Sequence, residues 1–147
     1  MNAAPDNLPP RLAEIVADFA LCQGQEKLEY LLELSEGLPP LPAWLQGKSD
    51  LMDQVHECMS PVAVFADAED GRLVYHFDVP PEAPTVRGFA AILGEGTRGL
   101  TPQAVLAIPG EFYLQMGLQT VLSGQRLNGI SAILAHMKQL AVGHLRS

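Results

Sequence analysis

The sequence predicts an α+β domain: a helical hairpin, then a small three-stranded antiparallel sheet, then several helices packed on one face of that sheet. Three observations predict it. Apolar residues recur at three- and four-residue steps up to residue 35, strict alternation takes over between Arg72 and Asp78, and the helical period returns from Val86 onward. The chain has 147 residues, of which 48% are hydrophobic. That suffices for one core without disulfides or metals, so residues 9–147 are read as a single domain behind a disordered amino-terminal tail, residues 1–8.

Pro9 and Pro10 suit a first helical turn, and Leu12, Ile15, Val16, Phe19 and Cys22 then continue one apolar face. On that face Cys22 reads as a buried core thiol. Gly24 ends this helix. A second helix begins near Gln25 with Leu28, Leu31, Leu32 and Ser35 inward, and stops at Gly37 before Pro39 and Pro40. Residues 38–47 hold three prolines and the only tryptophan, Trp44, so they form a crossing segment, with Trp44 expected to plug the core edge. Leu51–Val55 and Pro61–Ala66 are predicted strands. Arg72–Asp78 is a third, with Leu73, Tyr75 and Phe77 on one side, joined to the second through the tight-turn pair Asp70-Gly71.

After Pro80–Pro84 the sheet is over. Val86, Phe89, Ala90 and Leu93 mark a helix that runs out among Gly94, Gly96 and Gly99, and Thr101-Pro102 is a cap followed by a first-turn proline. A short helix is expected over Glu111–Leu118. Ser123-Gly124 turns into the last helix, where Asn128 and Gly129 are read as the start and Ile130, Ile133, Leu134, Met137 and Ala141 form an apolar stripe. Lys138 and Arg146 lie toward its carboxyl end, where cations suit the helix dipole.

Charge and composition narrow the function. Nine Lys and Arg against 17 Asp and Glu give a net charge of -8, which disfavours nucleic acid and anionic membranes as partners. Met1–Pro10 has neither a basic n-region nor an apolar h-region, and no apolar run approaches the ~20 residues of a membrane span, so a cytoplasmic protein is expected. Two cysteines and four histidines without a Cys-x-x-Cys or His-x-x-x-His pair fall short of a zinc set. No P-loop, dinucleotide fingerprint, Gly-x-Ser-x-Gly or repeat occurs. What remains is Cys58, in the polar segment Val55-His56-Glu57-Cys58-Met59-Ser60-Pro61-Val62 directly before a strand. A cysteine there is either a small buried hydrophobe or a presented nucleophile.

Five pieces, in order, carry a resemblance. They are Lys27–Leu34 with Leu38-Pro39, Cys58-x-Ser60-x-Val62, Val86-x-Gly88-Phe89, Thr101-Pro102-Gln103, and Leu122-Ser123-x-x-Arg126-x-Asn128-Gly129. From about Leu8 to Leu145 the chain resembles the SufE family of sulfur acceptors, which assist cysteine desulfurases in iron-sulfur cluster assembly. The resemblance implies a SufE/IscU-like fold. It implies that Cys58 sits at a loop tip and accepts persulfide sulfur from a SufS-like desulfurase for an iron-sulfur scaffold. The chain itself would carry no cofactor, since pyridoxal phosphate belongs to the desulfurase, and it would act as an accessory that stimulates that enzyme. Glu57, Met59, Ser60 and Asn128 are implied as partner-binding residues. Family members often have Gly before the cysteine, Gln after it and an aromatic beyond the serine, where this chain has Glu57, Met59 and no Trp.

Such transfer needs a thiolate. His56 and Arg126 are the candidate cations to lower the thiol's pKa, with Arg126 preferred because it matches a family position and stays charged; Glu57 works against both. Met59 fills space or shields the thiol from oxidation. The competing reading is a small cysteine-dependent hydrolase or transferase pairing Cys58 with His76, His136 or His144. A cluster-binding scaffold would want three or four thiolates.

Overall fold

The computed structural model describes residues 7–145. Residues 1–6 of the expected tail, and Arg146, lie outside the described residues, while Leu8 is buried in the core. Helices α1 (Pro10–Leu21) and α2 (Gln25–Ser35) precede strands β1 (Asp53–Gln54), β2 (Ala63–Glu69) and β3 (Arg72–Asp78), and α3 (Pro84–Gly96), α4 (Pro102–Leu106), α5 (Tyr113–Met116) and α6 (Gly124–Leu145) follow. The strands form one antiparallel sheet in the order β1-β2-β3, so the class is α+β. Asp70 and Gly71, both with positive φ (54° and 77°), make the tight connection between β2 and β3.

Alternation sorts the two faces of the sheet. Val64, Ala66, Leu73, Tyr75 and Phe77 are buried in the main core with the helices. The opposite face carries Ala63, Phe65 and His76, covered by the proline-rich segment through a smaller cluster of Leu45, Met52 and Ala63. On the helical side the face of Leu12, Ile15, Val16 and Phe19 is buried as its spacing predicts, and so is the α6 stripe of Ile130, Ile133, Leu134, Met137 and Ala141.

Tyr75 joins the sheet to α6, its buried hydroxyl donating to the Met137 carbonyl at 2.7 Å. Tyr75→Phe is expected to lower stability by about 1 kcal/mol, the net worth of one such bond. The corresponding fall of about 2–4 °C in Tm is measured by thermal denaturation.

Several local expectations need correction. Cys22 is half-buried: α1 ends at Leu21, the Cys22 backbone is extended (ψ 149°), and its Sγ donates to the Asp18 carbonyl. The 100° helical step that would have carried it onto the apolar face is broken there. In α2, Lys27, Leu31 and Ser35 are buried, whereas Leu32 is exposed and Leu28 only half-buried. Lys27 reaches inward because its Nζ donates to the Phe19 carbonyl at 2.6 Å, in the last turn of α1, where that oxygen also accepts from the Cys22 N–H.

Trp44 is 50% exposed and lies edge-on over Phe65 and His76; its neighbour Leu45 is the buried one. A 3-10 turn at Ser49–Leu51 shortens β1, and β2 runs from Ala63 to Glu69, two residues later at its start and three at its end than the sequence predicts. Helix α3 continues through Gly94 to Gly96, where a β-carbon would lie 2.8 Å from Leu12; these glycines allow close packing as well as termination. Helix α5 is confined to Tyr113–Met116, and α6 begins at Gly124, four residues before Asn128, because the Ser123 hydroxyl accepts from the Arg126 N–H. Lys138 donates to the Ile108 carbonyl from the side of α6.

Candidate functional site

Two buried valines anchor the loop between β1 and β2. Val55 N–H donates to the Val62 carbonyl at 2.8 Å, and Cys58 N–H returns to the Val55 carbonyl at 3.3 Å. Closing the loop at its base forces residues 56–61 into a tight protrusion. His56, Glu57, Met59 and Pro61 are exposed on it, Met59 at 79%, while Cys58 and Ser60 are half-buried.

The Cys58 side chain turns toward α6, packs against the main core and donates its S–H to the Gly129 carbonyl at 3.3 Å. Gly129 permits this approach, since a β-carbon there would lie 3.3 Å from the sulfur and 3.5 Å from the Cys58 Cα. The thiol borders a cavity of about 190 Å³ lined also by Ser60, Glu82, Ala83, Val86 and Arg126. Burial, and secondarily the adjacent Glu57 carboxylate, push the Cys58 pKa up from 9.0 to about 11.

The two cations expected to activate the thiol do not do so in this state. Arg126 borders the same cavity, but its guanidinium donates to the Thr85 hydroxyl of α3, and His56 is exposed on the loop. Asn128 is exposed beside Gly129 on α6, and Met59 lies at the cavity rim.

Sequence reasoning gives one residue of this neighbourhood a different part. His136 of α6 lies with Nδ1 2.5 Å from Asp53 Oδ2 and Nε2 3.0 Å from Glu57 Oε1. Its side chain is 13% exposed. Burial opposes the charged ring, but the hydrogen bonds to Asp53 and Glu57 outweigh it and raise the His136 pKa above 6.5. Two carboxylates facing two ring nitrogens are both satisfied only when each nitrogen carries a proton, so the site favours the imidazolium. In the sequence it is legible only as a candidate base for Cys58, because its partners are 83 and 79 residues away. With both nitrogens engaged by carboxylates it does not serve the thiol. His76 packs against Trp44, and His144 lies 3.3 Å from the Ala66 carbonyl. Among the described residues no group of three or more His, Cys, Asp or Glu is arranged to hold a metal ion, and no helix is long and apolar enough to cross a membrane.

Fold and site together define an α+β protein that keeps a single loop cysteine tucked against a helix and protonated. Comparison with known proteins makes the class specific. A family model described as SufE, Fe-S metabolism associated domain, matches residues 13–141. An uncharacterized SufE-like protein of Mycobacterium tuberculosis is 47% identical over 137 residues, which cover 92% of this chain and 94% of that one. The cysteine desulfuration protein SufE of Plasmodium vivax is 23% identical over 150 residues, covering 99% of this chain and 59% of that one. The solution structure of a hypothetical protein from Thermus thermophilus has a TM-score of 0.83 at 36% identity, covering 95% of this chain and 99% of that one. The chain belongs to the SufE family, and with it to iron-sulfur metabolism.

Proposed function

We propose that Cys58 accepts sulfur from the persulfide of a SufS-like cysteine desulfurase, stimulating that enzyme, and passes it to an iron-sulfur scaffold in the cytoplasm. The observation that carries this reading is the Cys58 thiol itself, at a loop tip yet turned inward against Gly129 beside a small cavity. A sulfur carrier needs both properties, reach and shelter, because an exposed persulfide is lost to any passing thiol or oxidant.

The step is thiol exchange. The Cys58 thiolate attacks the terminal sulfur of the partner's cysteine persulfide, a new S–S bond forms at Cys58, and the partner's thiolate leaves with the electron pair; nothing is oxidised or reduced overall. In the resting state the proton is held on sulfur, so docking has to bring the side chain outward before it reacts. Arg126 at the cavity edge is placed to meet the emerging thiolate, and Glu57, Met59, Ser60 and Asn128 border the path to the partner. This chain uses no cofactor of its own in the transfer, and pyridoxal phosphate chemistry stays on the desulfurase.

Incubating the chain with a cysteine desulfurase and free cysteine should add one sulfur to Cys58, read by mass spectrometry of the peptides. Cys22→Ser should be labelled like the parent and Cys58→Ser should show no labelling; equal sulfur uptake by Cys58→Ser would sink the proposal.

A further inference from the structure

We infer that His136 is a positioning residue that, as an imidazolium, latches Glu57 and with it the Cys58 loop onto α6. The inference rests on the reading of Cys58 as the working thiol, but it concerns the loop's motion and not the sulfur chemistry.

Gly129 and His136 are seven residues apart on α6, two turns along the same side of the helix. Consecutive residues of the loop are therefore held at two points of that side: Cys58 by the Gly129 carbonyl and Glu57 by the His136 ring. The ring also holds Asp53 of β1, so one cation joins the strand entering the loop, the loop tip and the helix beneath. Glu57 can leave; its side chain is 51% exposed, against 34% for Asp53, and its contact is the longer of the two. When the ring loses a proton a single N–H remains for two carboxylates. Asp53, nearer and less exposed, keeps it, and Glu57 is released.

His56, next to Glu57 on the loop, also acts on the Glu57 carboxylate, whereas the charged groups on the neighbouring elements are engaged elsewhere. Arg87 of α3 donates to the Val79 carbonyl, and Glu95 pairs with Arg11. Asp67 of β2 acts on His76, and Glu69 is exposed at the far end of that strand beside Arg72. On α6, Arg126 binds Thr85, Lys138 binds Ile108 and His144 lies by Ala66. Helix α4 and the turn at Leu118–Thr120 carry no charge.

The pH window follows from the directions of the two shifts. The His136 pKa is raised, so its contribution is complete below 6.5 and disappears as pH rises through the folded value. The Glu57 pKa is lowered, chiefly by a backbone hydrogen bond and then by His136, so its contribution is complete above 4.5 and disappears in more acid solution. The latch is closed between these limits; it opens in alkaline solution as His136 loses its proton and in acid solution as Glu57 gains one.

The test measures alkylation of Cys58 by iodoacetamide in the full chain carrying Cys22→Ser, with each rate divided by the thiolate fraction titrated in parallel. The parent should show a rise of about three- to tenfold as His136 deprotonates, the size of one partly exposed charge-assisted hydrogen bond. His136→Gln should be at the raised level already at pH 6 and show no step. Loss of a nearby cation by itself would only make the thiol harder to ionise, the opposite direction. A His136→Gln chain that reacts at pH 6 no faster than the parent would overturn the latch. Should that variant fold poorly, Glu57→Gln decides alone: it removes the latch from its exposed side, and persistence of the pH step in it rejects the inference. No sulfur transfer is involved, so a negative result here and a negative result in the labelling experiment are separate findings.

Discussion

Substituting Gly129 is expected to raise the fraction of Cys58 ionised at neutral pH by up to about 100-fold. At a pKa of about 11 roughly one thiol in 10,000 is ionised at pH 7, and at the ordinary value of 9.0 roughly one in 100. The suppression comes first from burial against α6, which the missing side chain at Gly129 permits. Alanine there puts a β-carbon 3.3 Å from the sulfur, tighter than an ordinary contact, and in van der Waals contact with the Cys58 Cα at 3.5 Å. The side that gives is the loop, since α6 is held by its own hydrogen bonds. Gly129→Ala should lower the thiol pKa part of the way and Gly129→Val further. Full return to 9.0 is the ceiling, because Glu57 stays alongside. Because alanine also suits a helix better than glycine by roughly 0.5–1 kcal/mol, a general loss of stability is not expected to account for the change. The check is a spectroscopic thiolate titration of both variants in the Cys22→Ser background. If both still titrate near 11, close approach to Gly129 is not what holds the proton on sulfur.

The largest expected effect on stability is at Gly88, in the interface of α2 and α3. A β-carbon at this position would lie 2.3 Å from the Leu31 carbonyl oxygen and 2.9 Å from its Cδ1. Leu31 is fully buried, so neither backbone nor side chain has room to withdraw. Gly88→Ala must therefore push the two helices apart. Overpacking of this severity costs about 3 kcal/mol, at the upper end for core substitutions, against roughly 1 kcal/mol gained from helix propensity. A net fall of about 4–8 °C in Tm is expected. Gly143→Ala, in α6 with no atom within 4 Å of the new methyl, should instead stabilise by roughly 0.5–1 kcal/mol. Thermal or urea denaturation of the pair reads both signs, and a Gly88→Ala chain melting at or above the parent would contradict the packing described here. The glycine in Val86-x-Gly88-Phe89 thus marks a helix contact.

Much of the architecture could be read from local pattern. The three- and four-residue spacing of Leu12, Ile15, Val16 and Phe19, the alternation of Leu73, Tyr75 and Phe77, and the Thr101-Pro102 start are each properties of a few neighbouring residues. All three reappear as a buried helix face, a buried strand face and a capped turn, the Thr101 hydroxyl accepting from the Ala104 N–H. Local pattern failed where an element ended or where two faces were both usable. Cys22 fell off the end of α1, Leu32 lost its inward place to Lys27, and Trp44 yielded the core to Leu45.

Taken alone, the chain's residues settled the order of helices and strands, the apolar face of most of them, and the one cysteine set in a polar loop. Periodicity carries that information because burial repeats with the backbone's own turn or pleat. The state of that cysteine was settled elsewhere: by Gly129 meeting the sulfur, by Arg126 turning to Thr85, and by His136 gathering Asp53 and Glu57. Each of these joins groups roughly 40 to 80 residues apart, and such meetings are set by how whole elements pack, which no spacing within a single element encodes.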